Sequence, residues 1–290
     1  IIVFIINNYI IFCMIIWIAS YPKSGNTYIR SFLSAYYFTS DGKFNFDLLK
    51  NIKQFPNAEF FERSLNNVDD ASNNWLLAQK KIKEERKIKF LKTHNILGSY
   101  NNKPFTTIEY TLGAIYVVRD PRNVITSVMN HWSFNYDEAY KFMTDVNNGT
   151  KSNLDDYSTY SHLSTWAEHY KSWATTKNFR KLIIKYEDLE NEKYETFRDI
   201  IVFLNAISNR TERVNKKKLE NAIETTNFSV LKNLEQNKGF EEALYSEREK
   251  KFKSFFNLGF NNRWKKILPN DIIVKIEKSF NKEMKEIGYL

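Results

Sequence analysis

Three short stretches carry side chains suited to gripping an anion and moving a proton. The first, Ser20-Tyr21-Pro22-Lys23-Ser24-Gly25-Asn26-Thr27, lies between an apolar run and a helical pattern. A strand that passes through a glycine-containing loop into a helix start aims several backbone N–H groups at one point, which makes an anion site. Lys23 adds a cation, and Ser24, Asn26 and Thr27 add side-chain donors. It is not a Walker A loop, because the lysine precedes the glycine and no Gly-Lys-Ser/Thr occurs there. The second, Leu91-Lys92-Thr93-His94-Asn95, ends another apolar run. A histidine titrates near neutrality and can take a proton from a hydroxyl. In the third, Val117 to Ser127, Asp120 reads as an N-cap and Pro121 as the first helical residue. Ser127 then lies about two turns into that helix and can share a ligand with Arg119. Each stretch has a plainer reading alone: a turn with an exposed lysine, a capping histidine, an Arg119 ion pair with Asp120 or another carboxylate.

The elements that must position these groups can be read from the hydrophobic pattern. Continuous β-rich runs at Met14 to Ala19, Ile88 to Lys92, Ala114 to Val118 and Leu182 to Lys185 lack alternation, as strands buried on both faces do. Helical patterns cover Asn26 to Tyr37, Asn74 to Lys87, Pro121 to Trp132, Tyr157 to Thr175, Lys193 to Leu204, Lys216 to Ile223 and Asp271 to Ile287. Strands alternating with helices predict one α/β domain, a parallel central sheet with helices on both faces. In such sheets ligands bind at the carboxyl ends of the strands, where all three stretches fall. The polar stretch from Asn135 to Thr159 reads as a long loop inserted over the site.

With 290 residues, 42% hydrophobic and 27% charged, the chain suits one large domain, and no linker or repeat marks a second. The net charge of +9 fits an anionic ligand, a nucleic acid or an acidic membrane surface about equally. The Lys216-Lys217-Lys218 run reads as a solvated helix face, so no nucleic-acid partner is expected. Cys13 is the only cysteine, which excludes an intrachain disulfide and a cysteine-based zinc site and makes a reducing, cytoplasmic location the expectation. The apolar start, Ile1 to Ile18, overlaps the first strand, and what remains is shorter than the roughly 20 residues that span a bilayer. No stable membrane insertion is therefore expected. Residues 1–13 are expected to be an upstream extension or disordered, with the working domain at 14–290.

The string Tyr21-Pro22-Lys23-Ser24-Gly25-Asn26-Thr27 resembles the 5′-phosphosulfate loop of sulfotransferases that use 3′-phosphoadenosine 5′-phosphosulfate (PAPS). The resemblance implies that Lys23, Ser24, Gly25, Asn26 and Thr27 hold the sulfate-bearing 5′-phosphate, with Lys23 stabilising the bridging oxygen. Tyr28 stands where the family usually has an adenine-contacting Trp. Lys92 and His94 fall on the family's Lys-Thr-His element, which implies His94 as general base and Lys92 as an aid at the sulfate. Arg119 and Ser127 match its 3′-phosphate element. Tyr186, in Tyr-Glu-Asp-Leu, and Thr226 and Phe228, in Thr-x-Phe, match elements that contact adenine. The last element, usually Phe-Phe-Arg-Lys-Gly, is here Phe255-Phe256-Asn257-Leu258-Gly259, so Gly259 remains and both cations are missing. Arg248, Lys251, Lys253 and Arg263 are nearby candidates to replace them.

The expected function is thus sulfuryl transfer from PAPS, without a metal, to an acceptor hydroxyl or amine on a small molecule, a sugar or a lipid headgroup. A relic of this fold that binds nucleotide without catalysis and a P-loop kinase or NTPase stay open as alternatives. His169 sits among apolar residues at helical spacing and reads as structural.

Overall fold

The structure, a computed structural model, describes residues 14–61, 63–154 and 157–290. The expected extension at residues 1–13 lies outside them. Five strands form the central sheet: β1 (Ile15–Ser20), β2 (Lys53–Gln54), β3 (Lys89–Thr93), β4 (Thr111–Val118) and β5 (Arg180–Lys185). Their spatial order is β2-β3-β1-β4-β5 and every pairing is parallel. All of β1 is buried, as its uninterrupted apolar run requires.

Successive side chains of a strand point to opposite faces, so β1 feeds two cores. Ile15, Trp17 and Ala19 pack with Trp75, Ala78 and Ile82 of α2 (Trp75–Glu84), with Val124, Ile125 and Val128 of α3 (Pro121–Trp132), and with α5 (Trp166–Thr175). Ile16 and Ile18 pack with Ile29, Phe32 and Leu33 of α1 (Asn26–Phe38), with Phe197, Ile200 and Ile201 of α6 (Lys193–Ile207), and with Leu219 and Ala222 of α7 (Lys216–Thr225). Each fully buried Ile or Phe contributes about 1.5–3 kcal/mol of transfer free energy. Helices therefore cover both faces, as expected.

The expected strands and most helices agree with the structure to within a few residues. The stretch expected as a long loop, Asn135 to Thr159, instead begins with α4 (Tyr136–Thr144). Asn135 accepts from the Glu138 N–H while the Glu138 carboxylate accepts from the Asn135 N–H, a capping box. An antiparallel hairpin, Gly149–Leu154 with Tyr157–His162, follows. The helix expected from Tyr157 begins only at Trp166, because Thr159 and Ser161 alternate inward along a β-prone Tyr/Thr/Ser segment. The C-terminal helix breaks at Phe280 into α9 (Asn270–Ser279) and α10 (Asn281–Ile287). Helix α8 (Phe228–Lys238), N-capped by Asn227, was not expected.

Candidate active site

A cavity of about 740 Å³ opens at the carboxyl ends of β1, β3 and β4. Lys23, Gly25, Asn26, Thr27, Tyr28, Lys92, His94, Arg119, Ser127, Tyr186, Phe228 and Gly259 all line it, so the parallel sheet gathers twelve of the expected residues around one space. Ser24 and Thr226 are buried but are not among the lining residues. The Thr226 hydroxyl donates back to the Ala222 carbonyl at 2.6 Å, a local bond that competes with the expected contact to a base.

The loop after β1 is shaped by Gly25, whose φ of 105° lies in the left-handed region. A Cβ there would come within 2.4 Å of the Tyr186 ring, so only glycine lets the loop close against that ring. Gly25 leaves the start of α1 without a side-chain cap. Asn26 ties the loop down by donating to the Ile18 carbonyl at 2.9 Å, which leaves its Oδ1 buried without a partner. Lys23 Nζ and Ser24 Oγ are likewise buried and unpartnered. A buried donor without an acceptor costs about 1–3 kcal/mol, and an anionic ligand is one partner that satisfies Lys23 Nζ and Ser24 Oγ. Lys23 Nζ instead lies 3.7 Å from the centroid of the Phe255 ring. Burial, aided by Lys92 and Arg119 and partly offset by Glu242, pushes its pKa down to about 7.

His94 is oriented by the backbone of β1. Its Nδ1 lies 2.8 Å from the Ser20 carbonyl oxygen, which can only accept, so Nδ1 carries the proton and Nε2 keeps its lone pair. Burial, with the charge of Lys92, lowers the His94 pKa to about 3, so the ring is neutral at ordinary pH. Behind it, Tyr116 donates to His169 Nδ1 at 2.9 Å and His169 Nε2 donates to the His94 carbonyl at 3.0 Å. His169 thus fixes the backbone that carries His94, in keeping with its structural reading.

Arg119 donates to Ser127 Oγ at 3.1 Å, to the Lys23 carbonyl at 3.0 Å and to the Gly259 carbonyl at 3.1 Å. Its guanidinium carbon lies 4.2 Å from the centroid of the Tyr186 ring. Asp120 does not pair with Arg119; it caps α3 and pairs with Arg122 at 2.7 Å. Gly259 has a φ of 55°, and a Cβ there would lie 2.5 Å from the Phe228 ring. Phe260 stacks on Tyr186 with centroids 4.7 Å apart. Among the described residues, none of the four candidate replacement cations lines the cavity. Lys251 and Lys253 pair with Glu249, Arg248 reaches toward the Ser133 carbonyl, and Arg263 is exposed. Lys232 donates to the Asn257 carbonyl at 2.8 Å, and Asn262 donates to Ser127 Oγ at 3.2 Å.

Sequence reasoning missed Glu242, Arg30 and His131. The Glu242 carboxylate lies in the cavity, accepting from Lys92 Nζ at 2.9 Å and from the Thr27 hydroxyl at 3.4 Å, and it pairs with Arg30. Burial alone would raise its pKa, but Lys92 and Arg30 outweigh that and hold it well below the usual carboxylate range. Arg30 also donates to the carbonyls of Ile52 and Leu49, at 2.7 and 2.9 Å. Its signal was its place one turn after Asn26 as the one charged residue of α1. Glu242 had no signal, because it reaches the site from a loop distant in sequence.

This geometry accords with what known proteins show. The profile described as "Sulfotransferase domain" matches residues 15–288. The chain belongs to the sulfotransferase family. Membership makes it an enzyme of the PAPS-dependent sulfotransferase class. Sulfotransferase 1E1 of Mus musculus is 24% identical over 276 residues, covering 93% of this chain and 83% of the mouse protein. Its Rattus norvegicus counterpart is 24% identical over 273 residues with the same coverage. Among solved structures, retinol dehydratase in complex with androsterone and the inactive cofactor PAP is similar at a TM-score of 0.56 and 16% identity, covering 93% of this sulfotransferase and 80% of that chain. Mouse sulfotransferase SULT7A1 complexed with PAP is similar at a TM-score of 0.53 and 14% identity, covering 94% and 84%. At those identities the likeness concerns the fold. No group of three metal-ligating side chains, and no helix long and apolar enough to cross a membrane, occurs among the described residues.

Proposed function

We propose that this sulfotransferase binds PAPS across the two ends of the cavity and that His94 takes the acceptor's proton. When bound, PAPS supplies an activated sulfuryl group on a 5′-phosphate leaving group. The residues present suit it: the unpartnered Lys23 Nζ and Ser24 Oγ fit the 5′ end, and Gly25, with its positive φ, turns the loop there against the Tyr186 ring. Asn26, Thr27 and the first N–H groups of α1 complete that end. Arg119 and Ser127 hold the 3′-phosphate, and Tyr28, Tyr186 and Phe228 flank the adenine.

His94 Nε2 accepts the proton of the attacking hydroxyl, a role its fixed tautomer and unprotonated ring allow. Lys23 and Lys92 stabilise the negative charge that develops on the leaving phosphate and the transferring oxygens. For Lys92 to do so, Glu242 must release it. The observation that carries the reading is the convergence of an unpartnered Lys23 Nζ, Lys92 and an unprotonated His94 Nε2 on one cavity that Arg119 and Ser127 also line. A single cysteine accords with the cytoplasm as the place of work.

Calorimetric titration with adenosine 3′,5′-bisphosphate, set against ATP with Mg²⁺, tests the donor. Preference for the bisphosphate is expected, and preference for ATP with Mg²⁺ would overturn the reading in favour of an NTPase. The position of Glu242 on Lys92 also suits a nucleotide-binding relic. Bisphosphate binding without any transfer of label from ³⁵S-PAPS would establish that second reading.

A further inference from the structure

The acceptor side of the cavity differs in character from the donor side. Two walls flank His94, and both are hydrogen-bonded to the segment that carries it. The edge strand β2 is one: Gln54 lies beside Lys92 in register, and the Phe55 N–H donates to the Lys92 carbonyl at 2.7 Å. This brings Gln54 and Asn57 to the cavity. The hairpin is the other: the Ile96 N–H donates to the His162 carbonyl at 2.8 Å, and the His162 N–H donates to Asn95 Oδ1 at 3.0 Å. Its first strand brings Thr150 and Lys151 to the cavity. The end of α3 adds His131 and Trp132.

These six side chains offer donors and acceptors in a cavity that Leu49, Leu244, Phe255 and Leu258 also line. The side chains of Gln54, Thr150 and His131 make no hydrogen bond to any other described residue, although all three are half-buried. Burial and the charges of Lys23 and Lys92 hold His131 well below its usual pKa, so its neutral ring offers one donor and one acceptor. Trp132 presents a half-buried indole whose neighbours are Phe134 and Phe142, with centroids at 6.1 and 4.7 Å. Polar groups left unpaired around a reactive centre favour a ligand that pairs with them and penalise one that cannot.

Resting on the donor reading above, we infer that the acceptor is a saccharide hydroxyl: a polyhydroxylated ring whose neighbouring hydroxyls pair with Gln54, Thr150 and His131 while one face of the ring lies on Trp132. In the transfer, the acceptor O–H bond breaks toward His94 Nε2, the new oxygen–sulfur bond forms, and the bond from sulfur to the bridging oxygen of PAPS breaks. Adenosine 3′,5′-bisphosphate leaves.

The test is a ³⁵S-PAPS transfer assay with lactose, cellobiose and chitobiose, a galactosylated lipid in mixed micelles, 1-naphthol and a 3-hydroxysteroid, run beside calorimetric bisphosphate binding. Labelling of a saccharide with kcat/KM at least about tenfold above naphthol and steroid is the expected result. Labelling of the lipid alone supports the same chemistry and identifies the source as a membrane headgroup. Gln54→Leu and Thr150→Val should each raise KM for the saccharide about fivefold, with kcat and bisphosphate affinity within twofold of wild type. Preference for naphthol or steroid, or labelling of either with no saccharide labelled, overturns the inference while the donor reading stands, and bisphosphate binding with nothing labelled overturns it in favour of the nucleotide-binding relic. Loss of bisphosphate binding itself removes the donor reading and this inference with it.

Discussion

Lys23, Lys92, His94 and Arg119 stand at the carboxyl ends of three adjacent strands, whereas the facing wall, residues 239–262, is held by side-chain packing and hydrogen bonds and pairs with no strand of the central sheet. Register and burial leave the strand ends little freedom: every residue of β1 is buried, and β1 pairs along its length with both neighbours. The facing wall is anchored by the Glu235 carboxylate, which accepts from the Phe255 and Phe256 N–H groups at 2.6 and 2.9 Å, and by Asn262, which donates to the Asn123 carbonyl at 2.7 Å. Phe252 on that wall is 70% exposed. A wall held in this way can change residues without disturbing the sheet. The departures from the family pattern at Asn257 and Leu258, and the Glu242 carboxylate on Lys92, both lie there.

If the strand ends perform the chemistry, the largest effect belongs to them. His94→Ala should lower turnover by about 10²-fold or more and leave bisphosphate affinity nearly intact, measured by ³⁵S transfer and calorimetry on the same samples. An equal loss of both would place His94 in binding rather than in proton transfer.

Changes in the facing wall should act on affinity instead. Two charge-assisted contacts are worth about 1.5–3 kcal/mol each. Restoring them with Asn257→Arg and Leu258→Lys should tighten adenosine 3′,5′-bisphosphate at least about tenfold without altering adenosine 5′-monophosphate. An unchanged bisphosphate affinity would mean that Lys232 or Asn262 already serves the 3′-phosphate.

Glu242→Gln should move affinity and stability in opposite directions. Removing one negative charge beside Lys23 and Lys92 should tighten the bisphosphate about fivefold. Leaving Lys92 and Arg30 without their carboxylate should lower Tm, because a buried charge that loses its partner is costly. Weaker binding in this variant would show that Glu242 belongs to the site rather than competing for it.

The smallest effect is a proton. With its pKa lowered to about 7, Lys23 is largely neutral in the empty site at pH 8. An anion beside it favours the charged form, so binding takes up as much as about one proton and affinity falls about three- to fivefold from pH 7 to pH 8. Calorimetry in buffers of different ionisation enthalpy reads the uptake directly. Proton release, or affinity that rises with pH, would separate Lys23 from the bound anion.

The same contrast explains how far the sequence could be read. Strands buried on both faces appear as unbroken apolar runs, and Asp120-Pro121 announces a helix start, so β1, β3, β4, β5 and α3 were legible together with the groups at their ends. The two-residue strand Lys53–Gln54 is too short to show a period. The hairpin of residues 149–162 is polar and reads as loop, although Asn135 and Glu138 at the preceding helix carried a capping-box spacing. Glu242 joins Arg30 and Lys92 across more than a hundred residues, and only the folded chain brings the three together.

The central claim is that the strand ends hold a two-ended anionic nucleotide beside a neutral His94, and a crystal structure with adenosine 3′,5′-bisphosphate tests it most directly. The account predicts the 5′-phosphate against Lys23 Nζ and the Gly25–Thr27 backbone, the 3′-phosphate on Arg119 and Ser127, and Glu242 withdrawn from Lys92. A nucleotide bound in the reverse sense, or outside this cavity with the Glu242–Lys92 pair intact, would contradict it.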